Sequence, residues 1–274
     1  MNENPKISVL MPAYNAEKYI GEAIESILNQ TFKDFEFIII DDCSTDRTWE
    51  IIQGYIKKDS RIIALKNEKN LRISATLNRG IEIAKGKYIA RMDADDWSYP
   101  DRLQKQYEFM ESNLDVGISG GTMEVCDENL IKMGYRKYNL NDYSIRKKIF
   151  RYSPFSHPLI IFKTELLKKY NFQYDPILVA AQDYDLYFKI GRISKFGNLD
   201  DILIKYRIVG TSISITKARV QEKNTLYIRL KAIFEYGYEM GVGDKIYFIG
   251  QFLSMYIIPQ KVKIYVFIFF RNRK

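Results

Sequence analysis

Three aspartates in the run RMDADDWSYPDRL, residues 91–103, are the side chains best suited to chemistry: Asp93, Asp95 and Asp96. Carboxylates this close repel one another unless a cation is present. Hard oxygen ligands suit Mg²⁺ or Mn²⁺, ions that also bind phosphate oxygens. A divalent ion held this way neutralises the charge that builds on a departing diphosphate. A lone D-x-D also occurs in solvated acidic turns, so its place relative to strands carries the argument. A second acidic pair, Asp41 and Asp42, closes the run FEFIIIDD. Asp42 is read as a ligand, because an acid at a strand end accepts from a base or ribose donor in dinucleotide folds. Ser44, Thr45 and Asp46 read as helix-capping residues. A third pair, Asp183 and Asp185, opens the run DYDLYFKI. Two readings stay open there: stabilisation of a helix N-terminus, or a general base beside a reacting hydroxyl.

The one histidine is His157, in SPFSHP. With no second histidine, and with Cys43 and Cys126 far apart, a zinc site is excluded as a working idea. A loop histidine before proline reads first as structural and second as a substrate contact. Two cysteines make no disulfide framework and suit a reducing compartment. The chain has no P-loop, no glycine-rich dinucleotide fingerprint and no G-x-S-x-G elbow.

The elements that must position these groups alternate. Short apolar runs predict strands at 7–11, 35–40, 61–65, 88–92 and 116–119, the last ending at Gly120-Gly121. Between them lie helical stripes. Ile20, Ala23, Ile24, Ile27 and Leu28 recur at helical spacing, with Asn15 as the expected cap. Ser44 or Thr45 is the expected cap of a helix bearing Ile51, Ile52, Tyr55 and Ile56, and a further helix is expected over 75–84. Alternating βα units imply a parallel sheet with right-handed crossovers. Such sheets bind ligands at the carboxyl ends of their strands, and Tyr14, Asn15, Asp41, Asp42 and Asp93–Asp96 all fall there. The second half is less regular, with helices expected at 145–151, 166–170 and 182–190 and a mostly helical pattern beyond Lys217.

Charge is concentrated at one end. The 274 residues carry a net +8, and from Lys217 onward 11 Lys and Arg face 4 acids. This basic, aromatic segment reads as an interfacial element for an anionic surface, with apolar anchors in IYFIGQFLSMYII and VKIYVFIFFRNRK. The alternative is packing on the body of the protein or against a second copy of the chain. Nucleic acid is disfavoured, since the long apolar runs would be wasted. No stretch reaches the ~20 apolar residues of a membrane span, and the N-terminus lacks a signal-peptide core.

Taken in order, SVLMPAYNAEKYIGEAIESILNQTF, FEFIIIDDCSTDRT and GKYIARMDADDWSYPDRL resemble family 2 glycosyltransferases of the GT-A fold, over residues 5–210. Within that family the chain looks most like bacterial enzymes that build surface polysaccharides. The resemblance implies an α/β, mainly parallel sheet in a catalytic domain over 1–215. A nucleotide-sugar half (1–120) and an acceptor half (121–215) would be followed by a helical extension over 216–274. It implies that Pro12, Ala13 and Tyr14 cradle the nucleotide base and that Asp42 reads uracil. Asp93 falls near ribose and phosphate and Asp95 on the metal. Gly120 and Gly121 lie beside the donor sugar, Asn78 in the donor loop, and Asp183 is the base. It implies a nucleotide-sugar donor (UDP favoured), Mn²⁺ or Mg²⁺, and a glycan or lipid-linked acceptor with His157 near it. The enzyme would work in the cytoplasm, peripheral on the inner membrane face through 243–274. Two departures stand out: Gln182 precedes the aspartate where relatives often have glutamate, and Leu71-Arg72 replaces a glycine common after Asn70. A nucleotidyltransferase is disfavoured, because PAYNAEKY has no glycine-rich loop. A non-catalytic relative is disfavoured by the retained aspartates. Transfer to a polyprenyl phosphate remains an alternative.

Overall fold

The computed structural model describes residues 4–209, 217–258 and 262–263. Four strands, β1 (Ile7–Ala13), β2 (Phe35–Asp41), β3 (Ile62–Lys66) and β4 (Tyr88–Arg91), pair in parallel in the order β3-β2-β1-β4. Helices α1 (Ile20–Leu28), α2 (Thr48–Ile56) and α3 (Arg72–Ile83) make the crossovers. β1, β2 and β4 are buried along their whole length, which is why they read as continuous apolar runs rather than alternating ones. Their successive side chains feed opposite cores. Val9, Met11, Phe37 and Ile39 pack with Ile20, Ala23, Ile24 and Ile27 of α1. Leu10, Ile38 and Ile40 pack with Leu77 and Ile81 of α3. Each fully buried isoleucine contributes roughly 1.5–3 kcal/mol. Helix α3 comes close enough that a Cβ on Gly80 would stand 2.2 Å from Leu10 Cδ1.

The remaining strands extend the same sheet. They are β5 (Trp97–Ser98), β6 (Val116–Cys126), β7 (Lys132–Arg136), β8 (Ile161–Lys163) and β9 (Lys195–Arg207). β8 lies antiparallel between β4 and β6, β9 runs parallel to β6, and β5 and β7 add antiparallel edges. Helices α4 (Arg102–Ser112), α5 (Asp142–Arg146), α6 (Thr164–Lys169), α7 (Gln182–Gly191), α8 (Ala218–Phe234) and α9 (Val242–Ile257) complete the described residues, with a 3-10 turn at His157–Leu159. The result is the mixed, mainly parallel α/β sheet expected from the sequence. Position 120/121 falls inside β6, so both halves of the catalytic region share one sheet.

Local expectations differ in instructive ways. Asn15 does not cap α1, which starts at Ile20. Asn15 sits at φ +48°, and its Oδ1 accepts from the Thr45 N–H at 2.9 Å. Ser44 caps no helix either: its Oγ donates to Asp41 and accepts from the Asn15 N–H at 3.0 Å. Polar side chains expected at helix starts instead lace the ends of β1 and β2 together. The strand foreseen at 116–119 continues through Gly120 and Gly121 to Cys126, because β9 pairs along its whole length. The helix foreseen at 145–151 lies earlier, at Asp142–Arg146, with turns over 147–151, and the one foreseen at 166–170 runs over Thr164–Lys169.

Candidate active site

The strand order reverses between β1 and β4: β2 and β3 build out on one side of β1, and β4 falls on the other. Such a switch point opens a crevice at the strands' carboxyl ends. β1 delivers Pro12 and Ala13, both buried, and then Tyr14, which is 50% exposed and free to offer its ring. The Asp42 N–H donates to the Ala13 carbonyl at 2.8 Å, locking the second strand end against the first. The Asp42 carboxylate accepts from Asn67 Nδ2 (2.7 Å) and from the Leu71 and Arg72 N–H groups (2.8 and 2.9 Å). Asp42 therefore shapes the 67–72 loop as well as standing in the crevice. The loop needs holding, since Arg72 takes φ +67°, a left-handed conformation that glycine adopts without cost.

β4 delivers the acidic run. One carboxylate oxygen from each of Asp93, Asp95 and Asp96 lies within 4.8 Å of the others. Burial pushes Asp95 above the ordinary aspartate range, and the neighbouring Asp93 charge adds to this. Burial raises Asp96 too, with Asp95 and Asp93 contributing. Asp96 Oδ1 accepts from the Arg207 N–H at 2.9 Å, while its buried Oδ2 has no partner among the described residues. Crowded, desolvated carboxylates with an orphaned oxygen fit a hard divalent cation, so Asp93, Asp95 and Asp96 are the residues that would hold one. Arg207 fixes this loop from behind. Its Nε donates to the Asp95 carbonyl (2.8 Å), its Nη2 pairs with Glu22 (2.7 Å), and its guanidinium covers the Tyr19 ring at 4.1 Å.

Across the crevice, α7 begins after Ala181, itself left-handed at φ +62°. Asp183 lies in the first turn. Burial raises its pKa, and interactions with the Tyr184 backbone, the Arg91 charge and the Tyr187 side chain offset part of that rise. Asp185 separates cleanly from it. Fully buried, Asp185 pairs with Lys189 (2.7 Å) and Lys231 (3.3 Å) and accepts from Tyr236 Oη (2.8 Å), a structural network joining α7 to α8. Of the two readings left open by the sequence, the structural one fits Asp185 and leaves Asp183 as the available carboxylate.

His157 Nε2 lies 2.9 Å from Tyr174 Oη. Burial lowers the histidine well below its ordinary value and the Arg91 charge adds to this, so it is neutral. The Asn78 amide is committed at both ends to the Tyr174 backbone, donating to its carbonyl at 2.8 Å and accepting from its N–H at 2.9 Å. Asn78 thus acts on the site through Tyr174. Gly120 and Gly121 lie mid-strand rather than in a loop. Added Cβ atoms would stand 2.6 Å from Asn198 Oδ1 and 2.6 Å from Leu203 Cδ1, so the close approach seen here is to neighbouring protein. Cys43 offers only a 3.6 Å contact to the Glu68 carbonyl. The Cys126 thiol is pushed up to about 11, chiefly by burial. Sequence reasoning missed Arg91, Tyr174, Tyr187 and Arg207. The one available signal was Arg91, a cation in an otherwise apolar strand.

A parallel sheet with an acid triad at its strand ends, extended by mixed strands, is the architecture of the GT-A fold. Comparison with known proteins agrees. The model of glycosyl transferase family 2 matches residues 8–173, and the chain belongs to that family. An uncharacterized glycosyltransferase of Methanocaldococcus jannaschii is 40% identical over 231 residues, spanning 82% of this chain and 78% of its own. Among solved structures, S. aureus TarS 1-349 in complex with UDP-GlcNAc superposes with a TM-score of 0.71 at 23% identity, over 91% of this chain and 72% of its own. A mannosyltransferase of Pyrobaculum calidifontis in complex with GDP-Man and Mn²⁺ gives 0.67 at 16% identity, over 94% and 71%.

Proposed function

We propose that this glycosyltransferase moves a sugar from a UDP-sugar to a glycan or lipid-linked acceptor in cell-surface polysaccharide synthesis, with inversion at the anomeric carbon. One observation carries the reading: three carboxylates within 4.8 Å of one another at the end of β4, in a crevice that also holds a raised, available aspartate. Pro12, Ala13 and Tyr14 receive the nucleotide base, Asp42 stands at the uracil, and Asp93 at the ribose and phosphate. Gly120 and Gly121 lie toward the donor sugar. Asp183 takes the proton of the acceptor hydroxyl as its oxygen bonds to the anomeric carbon and the bond to the diphosphate oxygen breaks. A divalent cation, Mn²⁺ or Mg²⁺, when bound, offsets the charge of the leaving diphosphate. His157, held neutral, lies on the acceptor side. Isothermal titration with UDP, with and without Mn²⁺, tests this beside Asp95→Ala. Metal-dependent binding lost in the variant supports the assignment, and no UDP binding by the wild type removes it.

The acceptor end of the reading draws on α9. No residue of this helix is buried, and Val242, Ile246, Ile249, Leu253, Tyr256 and Ile257 are exposed. No helix among the described residues is long and apolar enough to cross a membrane. An apolar surface helix in a basic segment suits peripheral attachment to the inner leaflet, where a lipid-linked acceptor grows. This same observation favours a second reading, transfer to a polyprenyl phosphate. Radiolabel recovered in extracted lipid rather than in oligosaccharide separates the two. Residues 259–261 and 264–274, expected to share in attachment, lie outside the described residues. Deletion after Gly243 should release the protein from anionic vesicles, and a truncated chain that still pellets with them removes the tail as anchor.

A further inference from the structure

In a single displacement the transferred sugar has a fixed place. Its anomeric carbon is bonded to the diphosphate held near Asp93, Asp95 and Asp96, and it is attacked by the hydroxyl that gives its proton to Asp183. Polar groups between those two points therefore face the sugar ring. Arg91 lies in that interval, pairing with Asp93 and acting on Asp183, and Tyr187 borders its Asp183 end.

Arg91 ends β4 and is 3% exposed. One of its terminal nitrogens pairs with Asp93, and its charge also acts on Asp183, Tyr174 and His157. Its Nε and its other terminal nitrogen have no hydrogen-bond partner among the described residues. Tyr187 stands one turn beyond Asp183, on the same face of α7. Its ring meets Phe155 edge-on at 5.1 Å. Its hydroxyl, buried beside the Asp183 carboxyl, likewise completes no hydrogen bond of normal geometry among the described residues. At the same helix start the buried Gln182 Oε1 is an unpartnered acceptor. Buried polar groups are nearly always paired, and leaving them unpaired costs stability. Two unpartnered guanidinium nitrogens, a tyrosine hydroxyl held only loosely by the Asp183 carboxylate and one unpartnered amide oxygen point to a bound partner with several oxygens.

We propose that Arg91 and Tyr187 bind oxygens of the transferred sugar and select it as a neutral hexose or N-acetylhexosamine; this rests on the nucleotide-sugar reading with Asp183 as base. Neutrality follows from charge. Asp93 and Asp183 already outweigh the Arg91 guanidinium, so a carboxylated sugar would bring a further uncompensated anion into a desolvated space. Hydroxyl and acetamido oxygens accept from the two donors without that penalty. Gln182, uncharged and with its Oε1 unpartnered among the described residues, accepts from a sugar hydroxyl.

The test is titration of the full chain, with Mn²⁺ present, by UDP and by UDP-glucose, UDP-galactose, UDP-GlcNAc, UDP-GalNAc and UDP-glucuronate. Wild type is compared with Tyr187→Phe and Arg91→Lys, with thermal melts as the check on folding. For the preferred neutral sugar, the ratio of its Kd to that of UDP should rise about five- to tenfold in each variant, the effect of one lost hydrogen bond. UDP affinity should stay unchanged in Tyr187→Phe, a result that a merely structural tyrosine would not give. Unchanged ratios in Tyr187→Phe overturn the inference while leaving the enzyme reading intact. Wild type binding UDP-glucuronate as tightly as the neutral sugars overturns the selection. Wild type binding neither UDP nor any UDP-sugar overturns the enzyme reading itself, and this inference with it.

Discussion

The donor side and the base side of the crevice are held in place by different means. On the donor side, β1, β2 and β4 run in parallel register: Ala13 ends beside Asp41, β4 ends at Arg91 level with Leu10, and the chemistry sits in the next few residues of each. The backbone ladder does the positioning. On the base side, Asp183 begins a helix that is anchored by side chains from far along the chain. Arg229 of α8, 1% exposed, donates to Tyr184 Oη at 3.3 Å and to the Arg151 carbonyl at 2.9 Å, and also to Gln251 of α9. Lys231 and Tyr236 reach Asp185. The extension is thus two things at once: α8 packs into the body, while α9 has no buried residue of its own and touches the body through Asp244, Tyr247 and Gln251.

That contrast predicts separable defects. The largest effect belongs to Asp183→Asn, which should lower transfer by about 10²–10⁴-fold while UDP affinity, measured by titration, is kept. A parallel loss of UDP affinity would merge the two sides and undo the assignment as base. The pH profile sharpens the point. Burial raises Asp183, and only its ionised form accepts a proton, so activity should fall as pH drops through that raised pKa. The acid limb should therefore lie above the ordinary aspartate value of about 3.9; a limb at or below that value would assign the base elsewhere.

Next in size is Arg229→Ala. Loss of its buried hydrogen bonds and packing should cost about 2–3 kcal/mol in chemical denaturation. It should depress kcat while leaving the Kd for UDP within about twofold, because its hydrogen-bond partners among the described residues, Tyr184, Arg151 and Gln251, all lie off the donor strands. Equal losses on both sides would mean that the sheet, not the helix pair, carries the defect. Gly80→Ala reverses the expectation. Its new Cβ would press on Leu10 and Ile40 beneath the donor strands. Overpacking of about 1–3 kcal/mol should appear as weaker UDP binding together with a lower melting temperature.

The same division explains what the sequence disclosed. The four parallel strands, their order of acids and the metal-type triad were legible, because a buried parallel strand writes itself as an apolar run and its end as the first polar residue. β8, three residues long, and β9, with exposed Asp200 and Asp201 interrupting it and register shifts along its pairing, carry no such period. Their pairing is decided by tertiary contact. Asn15 and Ser44 were misplaced for a related reason. Both are good cap residues, and here each found a partner across two strand ends instead. Arg91 showed only as a cation in an otherwise apolar strand and Tyr187 showed nothing, since both acquire meaning only when folding places them beside Asp93 and Asp183.

The smallest predicted effect lies where sequence and structure meet most closely. The sequence showed Leu71-Arg72 where a glycine was expected, and the structure gives the physical reason to expect one: Arg72 sits at φ +67°. Asp42 holds that conformation by accepting from the Leu71 and Arg72 N–H groups, so the acid proposed to stand at the uracil also maintains the strained loop. Arg72→Gly removes a left-handed penalty of about 1–2 kcal/mol, offset in part by about 0.5–1 kcal/mol of added chain entropy in the unfolded state. A net gain of about 0.5–1 kcal/mol should follow in chemical denaturation. In the background of Asp42→Ala, where the clamp is gone, the loop is free to relax and the gain from Arg72→Gly should shrink. An equal gain in both backgrounds would show that Asp42 does not maintain the strain, and would leave its carboxylate to nucleotide binding alone.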